Sequence, residues 1–399
     1  VVIAPWAEAR KPPQAARSVP VDPPGPPLYA PDLDLLFEDA APGTLALVFG
    51  RAPVPVGPVA GVVIPLLRAY IVVNEVTLLR TDNALALTPL ALSVAIDADS
   101  WVWGWQATLP ASSLDDVLPS APGSPVELSA TINGVSWLLL AESVRRDRRF
   151  AQDRITVSGR GIAAELGSPY AGAVSRNNAV DATAQQLAAA ALTVNGVGIG
   201  WMLDWQLDDW LVPAGAWSHT GSHIEAVARI AEAAGGYVQA LPSSRALRVL
   251  KRYPAAPWDW TLIAADFSLP WSAVTREAIE WRETPAWNAV YVSGEGVGVL
   301  ARVKRAGTAG DLVAPLVVDP LATHVDAARQ RGLAVLAGGG AQQSLSIETP
   351  LFSGVSVYPV GSMVQIGTGS ASRKGIVRAL RVDATWPRVR QTLEIESRG

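Results

Sequence analysis

The chain has 399 residues, 49% of them hydrophobic and 17% charged, with a formal net charge of −4 and a mean hydropathy of +0.23. That length is more than one typical core supports and implies roughly two to four domains, while so apolar a balance implies surface buried against partner chains, most simply in an obligate oligomer. The near-neutral charge gives no global field for nucleic acid, and the absence of cysteine excludes disulfides, thiolate metal sites and cysteine nucleophiles.

The opening VVIAPWAEARKPP carries no basic leader followed by a long apolar stretch, so no signal peptide is expected. Val54–Val73 comes nearest to a membrane-spanning run, but Pro55, Pro58, Pro65 and Arg68 interrupt it and no span is expected. Prolines are dense from Pro5 to Pro58 (Pro12-Pro13, Pro23-Pro24, Pro26-Pro27), which favours extended polyproline-like chain. Residues 1–60 therefore read as an extended arm whose apolar islands, Leu33–Phe37 and Leu45–Phe49, can dock on a neighbour.

From about Ala69 the pattern turns to β. Tyr70–Arg80, Ala91–Ala98, Trp101–Leu109, Val126–Ile132, Val135–Val144 and Arg154–Gly159 are alternating or β-branched runs separated by turn residues. They predict an antiparallel sheet or barrel of about six strands. Trp101, Trp103 and Trp105 recur at period two and, in a strand, project from one face as packing residues of the barrel. Asn133-Gly134 is a hairpin signal, because a tight primed turn needs positive φ at both centres. Arg145, Arg146, Arg148 and Arg149 form a dense basic cluster, expected at a hairpin tip and able to contact acidic partner loops or phosphates.

Gly159-Arg-Gly161 after a strand has the opening of a dinucleotide fingerprint, but position 164 is alanine and the acid about 20 residues on, Asp181, precedes a helix. It reads as a strand exit between domains. Beyond Gly167, capping-box spacings at Thr183/Gln186 and Ser222/Glu225 predict helices over Ala184–Leu192 and Ile224–Ala234. Tyr237–Leu241 and Ala246–Tyr253 then form a hairpin. His219 and His223 lie four apart near Glu225, yet the cap at Ser222 leaves His219 outside the helix and His324 begins another, so no metal site is expected.

Trp205 and Trp210, interleaved with Asp204, Asp208 and Asp209, have the composition of a sugar cleft. Glycoside hydrolysis needs two carboxylates on opposite sides of a bond, which neighbouring acids in one loop do not establish; an interface or core loop is the plainer reading. No GxSxG elbow or P-loop occurs. The C-terminal region returns to β at Ala289–Ser293, Val297–Lys304, Leu345–Thr349, Met363–Ile366, Gly375–Asp383 and Val389–Glu396, with a helix over His324–Leu336 and no strict sequence repeat.

The order of these segments carries a family resemblance. ALSVAIDADSWVWGWQATLP, VELSATINGVSWLLLAESVRRDRRF and RITVSGRGIAAELGSPYA resemble the first domain of phage tail-tip or baseplate hub proteins, which are related to contractile-tail and type VI secretion spike adaptors. WNAVYVSGEG, RAGTAGDLVAPLVVDPLATHVDAARQRGLAVL, PVGSMVQIG, GIVRALRVD and VRQTLEIESRG resemble their closing barrel. The resemblance covers roughly three quarters of the chain and leaves out the arm. It implies a mainly β protein with an α+β insertion: two tube-like β-barrels over 61–166 and 255–399, flanking a mixed domain over 167–254, with a helix near 324–337. It also implies a homotrimer of pseudo-sixfold symmetry that joins a hexameric tail-tube ring to a threefold spike or fibre. Contact with a tape measure protein, a place in the virion and assembly in the host cytoplasm go with it. No catalytic residue, cofactor or metal is implied, nor sequence-specific nucleic-acid binding. The rival expectation is a carbohydrate-binding or adhesin module using Trp205 and Trp210.

Overall fold

A computed structural model describes residues 74–119, 121, 123–351, 357–367 and 372–398. The proline-rich arm, and the first part of the strand expected over Tyr70–Arg80, lie outside the described residues.

The N-terminal region supplies strands β1 (Val76–Arg80), β2 (Ala91–Asp97), β3 (Gly104–Pro110), β4 (Val126–Ile132), β5 (Val135–Ala141), β6 (Ser143–Arg149) and β7 (Gln152–Arg160). β2 shows how the sequence makes them: Leu92, Val94 and Ile96 are buried while Ala91, Ser93 and Ala95 face outward, the period-two pattern of a half-covered sheet. Asn133, at φ 49°, and Gly134, at φ 87°, turn β4 into β5.

The middle region carries helices α1 (Ala184–Ala191) and α2 (His223–Ala233), with the small sheet of β8 (Met202–Trp205), β9 (Gly236–Ala240) and β10 (Ala246–Lys251). Both capping boxes are closed: Thr183 Oγ1 accepts from the Gln186 amide, and the Glu225 carboxylate accepts from the Ser222 amide at 2.7 Å. β8, which no sequence pattern announces, pairs in parallel with β10, and Leu187 with alanines of α1, and Ile224, Val227 and Ile230 with alanines of α2, join its core.

The C-terminal region supplies β11 (Arg276–Glu283), β12 (Ala289–Ser293), β13 (Leu300–Lys304), α3 (Val325–Ala337), β14 (Ala341–Pro350), β15 (Met363–Ile366), β16 (Arg373–Thr385) and β17 (Arg388–Ser397). Gly332 lets α3 lie directly on β13, because a Cβ there would come within 2.5 Å of Val303 Cγ2.

The two regions expected as separate barrels share one sheet, and among the described residues no barrel closes on itself. Its main path runs β11-β14-β17-β16-β2-β3-β7-β6, with β15 and the short strand Phe267–Leu269 attached beside β16. All neighbours on the main path are antiparallel, including the junction, where β16 pairs with β2 from Ala379↔Asp97 to Thr385↔Ala91.

The main path is a tandem repeat that the sequence does not display. In the N-terminal half, β2, β3, β6 and β7 are arranged first-second-fourth-third; in the C-terminal half, β11, β14, β16 and β17 have the same arrangement. The halves are offset along the strands by a constant amount. A row of partners runs Arg388, Thr385, Ala91, Thr108, Thr156, Arg145. It meets the last pair of the C-terminal hairpin but falls four residues short of the corresponding pair Arg149↔Gln152. The first strands agree: Ala91 begins β2 in that row, whereas Arg276 begins β11 in the row Arg276, Glu348, Thr392, Arg381, four residues before Thr385. The second strands agree too, since Pro110 lies two residues beyond the row and Pro350, through Arg390 and Asp383, two residues short.

Candidate functional site

The tryptophans expected on one strand face take three separate tasks. Asp97 accepts from the Asp99 amide (2.8 Å) and the Ser100 hydroxyl (3.1 Å), turning the chain so that β3 begins only at Gly104. Trp101 therefore lies outside the strand and packs on the core of the middle region, its carbonyl accepting from the Ala240 amide. Trp103 (7% exposed) donates its indole N–H to the Ala240 carbonyl and meets Trp137 edge-on, with centroids 5.9 Å apart. Trp105 (5% exposed) lies in β3 and donates to the Leu140 carbonyl of β5. Two of these indoles thus tie the large sheet to the elements behind it.

The arginine cluster is not a tip. Arg145, Arg146, Arg148 and Arg149 lie along β6, an outer strand of the sheet, and the tip proper is Phe150-Ala151, with Phe150 fully exposed. The sequence hides this strand because an edge open on both faces has no buried period to display and is normally charged. Arg146 holds Asp153 in a two-pronged pair at 2.9 and 2.5 Å, and Arg149 lies 3.1 Å from Asp147. The hydrogen bond from Arg146 keeps the Asp153 carboxyl below its ordinary range.

The other outer strand, β11, has no counterpart among the strands expected from the sequence. It carries Glu277, Glu280 and Glu283 with Arg276 and Arg282, and its Trp281 is 70% exposed. Among the described residues β6 pairs with β7 and β11 with β14, so each leaves one backbone edge open. The basic run and the more acidic run thus stand at opposite ends of one sheet.

The residues considered for chemistry are engaged elsewhere. Trp210 is 3% exposed and donates to the Leu321 carbonyl, so its ring offers no face to a sugar; Trp205, half-buried, leans against it at 6.1 Å. Asp208 is paired with Lys251 at 2.8 Å and Arg329 at 3.4 Å, Asp209 accepts from the Gln185 amide at the start of α1, and Asp204 accepts from Gln206. They face three different partners and do not converge on a cleft.

Gly159 has a backbone explanation. A Cβ there would lie 2.0 Å from the Leu140 carbonyl oxygen, so the glycine permits β7 to cross close to β5. After Gly161 the chain enters the short buried 3-10 turn Ile162–Leu166, with no phosphate-facing helix start. The histidines are dispersed as well. His223 Nδ1 lies 2.7 Å from the Ala191 carbonyl, His324 caps α3, and burial lowers the His219 pKa. No group of three His, Asp or Glu residues placed to hold a metal occurs among the described residues. None of the described helices is long and apolar enough to cross a membrane.

No family model and no curated protein matches the sequence. Solved structures do. A tail protein from Neisseria meningitidis MC58 superposes with a TM-score of 0.57 at 14% identity, over 81% of this chain and 96% of that one. The 43 kDa tail protein of prophage MuSo2 from Shewanella oneidensis gives 0.53 at 12% identity, over 81% and 98%. An E. coli type VI secretion component, described as similar to the T4 tail proteins gp27 and gp5, gives 0.51 at 11% identity, over 80% and 76%. The chain shares the fold of these phage tail proteins and of the type VI secretion component.

Proposed function

We propose that this chain is a structural subunit of a phage tail tip, three copies of which close into a hub ring between a sixfold tail tube and a threefold spike or fibre. The tandem repeat carries this reading. Two like four-stranded units per chain give six units per trimer, so a threefold ring presents a sixfold set of strands, and the two open edges are where copies would join. The fold shared with tail proteins supports the same role.

The repeat also supplies the joining register. Within the chain, the last residue of β16, Thr385, pairs with the first residue of β2, Ala91. Repeating that rule between copies sets Arg149 of β6 against Arg276 of the next chain's β11. Arg148 then meets Glu277, Arg145 meets Glu280 and Val144 meets Trp281: two opposite-charge pairs and one apolar pair, against the one like-charge pair Arg149–Arg276 at the end of the strands. The directions agree, since β6 ends and β11 begins at the same end of the sheet, so copies set the same way up pair antiparallel.

Closure is geometrically reasonable. A shift of four residues (~3.3 Å each) for every four strands (~4.8 Å each) corresponds to strands inclined by about 35°, within the range of closed barrels. The role is structural, with the tail-tube ring, the spike or fibre and the tape measure protein as partners in the virion.

The test uses the absence of native cysteine. Asp147→Cys with Ala278→Cys places one thiol on each edge at positions the register opposes. Mild oxidation of the full chain at micromolar concentration is expected to give covalently linked trimers, matching a trimer mass in mass photometry of the unmodified protein. A monomer by mass photometry, with no linkage, overturns the ring.

A further inference from the structure

The hairpin β6–β7 of one half and the hairpin β16–β17 of the other occupy the same place in the repeat and point off the same end of the sheet. Each is tipped by an aromatic side chain that packs into no core. Phe150 is 101% exposed between Arg149 and Ala151, and Trp386 is 62% exposed, two residues before Arg388. Arginine flanks both: Arg149 at the first tip, Arg388 at the second. A shallow groove of about 530 Å³ lies beside Trp386, lined by Thr385, Arg388, Arg390 and Glu348.

Counted along the strands, the first hairpin ends four residues beyond the second, about 13 Å. In the proposed ring, whose inclination of about 35° follows from this same offset, both tips come to the same height. The constant offset thus levels two unrelated turn sequences. Their separation around the ring is about 23 Å, from four strand spacings at that inclination.

We propose that the Phe150 and Trp386 tips are one docking element presented twice per chain, by which this end of the sheet engages a neighbouring protein ring. The partner surface repeats an apolar pocket flanked by carboxylates at about 23 Å intervals. Aromatic anchors with adjoining guanidinium groups are the side chains that concentrate binding energy at protein interfaces, and the arginines select an acidic rim. Two tips that are level and regularly spaced fit a rigid, sixfold-repeating protein surface better than a fluid lipid one. The inference rests on the ring reading and adds to it which end faces the sixfold partner, and through which residues.

Photo-crosslinking in assembled tails tests it, with p-benzoylphenylalanine replacing Phe150 or Trp386 in the full chain. Both positions are expected to link to the same partner polypeptide, at segments containing Asp or Glu. Phe150→Ser and Trp386→Ser are each expected to lower the yield of joined tails about tenfold. Mass photometry of these variants is expected to retain the trimer, which separates failure of docking from failure of the ring. Linkage of the two positions to different polypeptides, or to further copies of this chain, overturns the proposal. So does unchanged yield of joined tails in the double variant. Flotation with phosphatidylglycerol vesicles that is lost in the serine variants would assign the tips to a membrane surface and equally overturn it.

Discussion

Gly159 is a residue whose neighbours in sequence advertise one role and whose neighbours in space impose another. Its setting in GRG after a strand is half of a phosphate-binding fingerprint, yet the group that approaches it is the Leu140 carbonyl, at 2.0 Å from where a Cβ would be. Gly159→Ala is therefore expected to lower the unfolding free energy by about 3 kcal/mol, by forcing β7 away from β5. Urea denaturation at fixed protein concentration measures this; an unchanged midpoint would mean the crossing has slack. Trp205 and Trp210 behave alike, since their spacing among acids resembles a ligand platform while Trp210 is sealed by its bond to Leu321. Side-chain chemistry is visible in a sequence; which side of the chain faces the core is not, unless a period reports it.

Elements that carry their own local signal are legible. α1 and α2 begin where Thr183 and Ser222 announce them, within a residue of the expected start, because a capping box is completed by groups three positions apart. Ser222→Ala is expected to remove about 1 kcal/mol, seen as faster amide exchange in the first turn of α2, whereas exchange in α3 stays as it was. Unchanged exchange at Glu225 would rule the cap out as a contributor. β6 and β11 fall at the other extreme. With both faces and one backbone edge open to solvent, SVRRDRR and REAIEWRE have no buried alternation, and the arginines of the first read from sequence as a hairpin tip. The strand expected over Trp101–Leu109 loses its first residues to the turn at Asp97, a side-chain capture of the backbone that outweighs β propensity.

For the whole molecule, the mainly β character and the resemblance to tail hubs are readable, and the tandem repeat is not. SVRRDRR and RKGIVRALRVDAT fill the same place in their halves and share no pattern, since a sheet asks only for alternation and hydrogen bonds, and the four-residue offset belongs to pairing. The proposed joining of a basic edge to a more acidic one predicts a salt-sensitive ring. Between about 50 and 500 mM salt, where screening of exposed charge pairs increases sharply, the trimer is expected to weaken by about tenfold. Mass photometry across that range checks it, and a trimer indifferent to salt would assign the contact to backbone pairing and Val144–Trp281 alone.

The junction of β16 with β2 also sets a timetable. Ala91 pairs with Thr385, close to three hundred positions later in the chain. At roughly 5 to 20 residues per second, synthesis of that interval takes about fifteen seconds to a minute. For the part of it that follows synthesis of β7, the N-terminal half has four strands in which β2 and β6 each leave one edge unpaired, the kind of exposed edge that recruits the wrong strand. The middle region also waits for later chain, since Leu321 and Ala327 complete its core and Trp210 donates to the Leu321 carbonyl. The last act of folding in this protein is thus the stitching of its two halves after most of the chain has left the ribosome, and crowded nascent copies compete for β2 until β16 arrives.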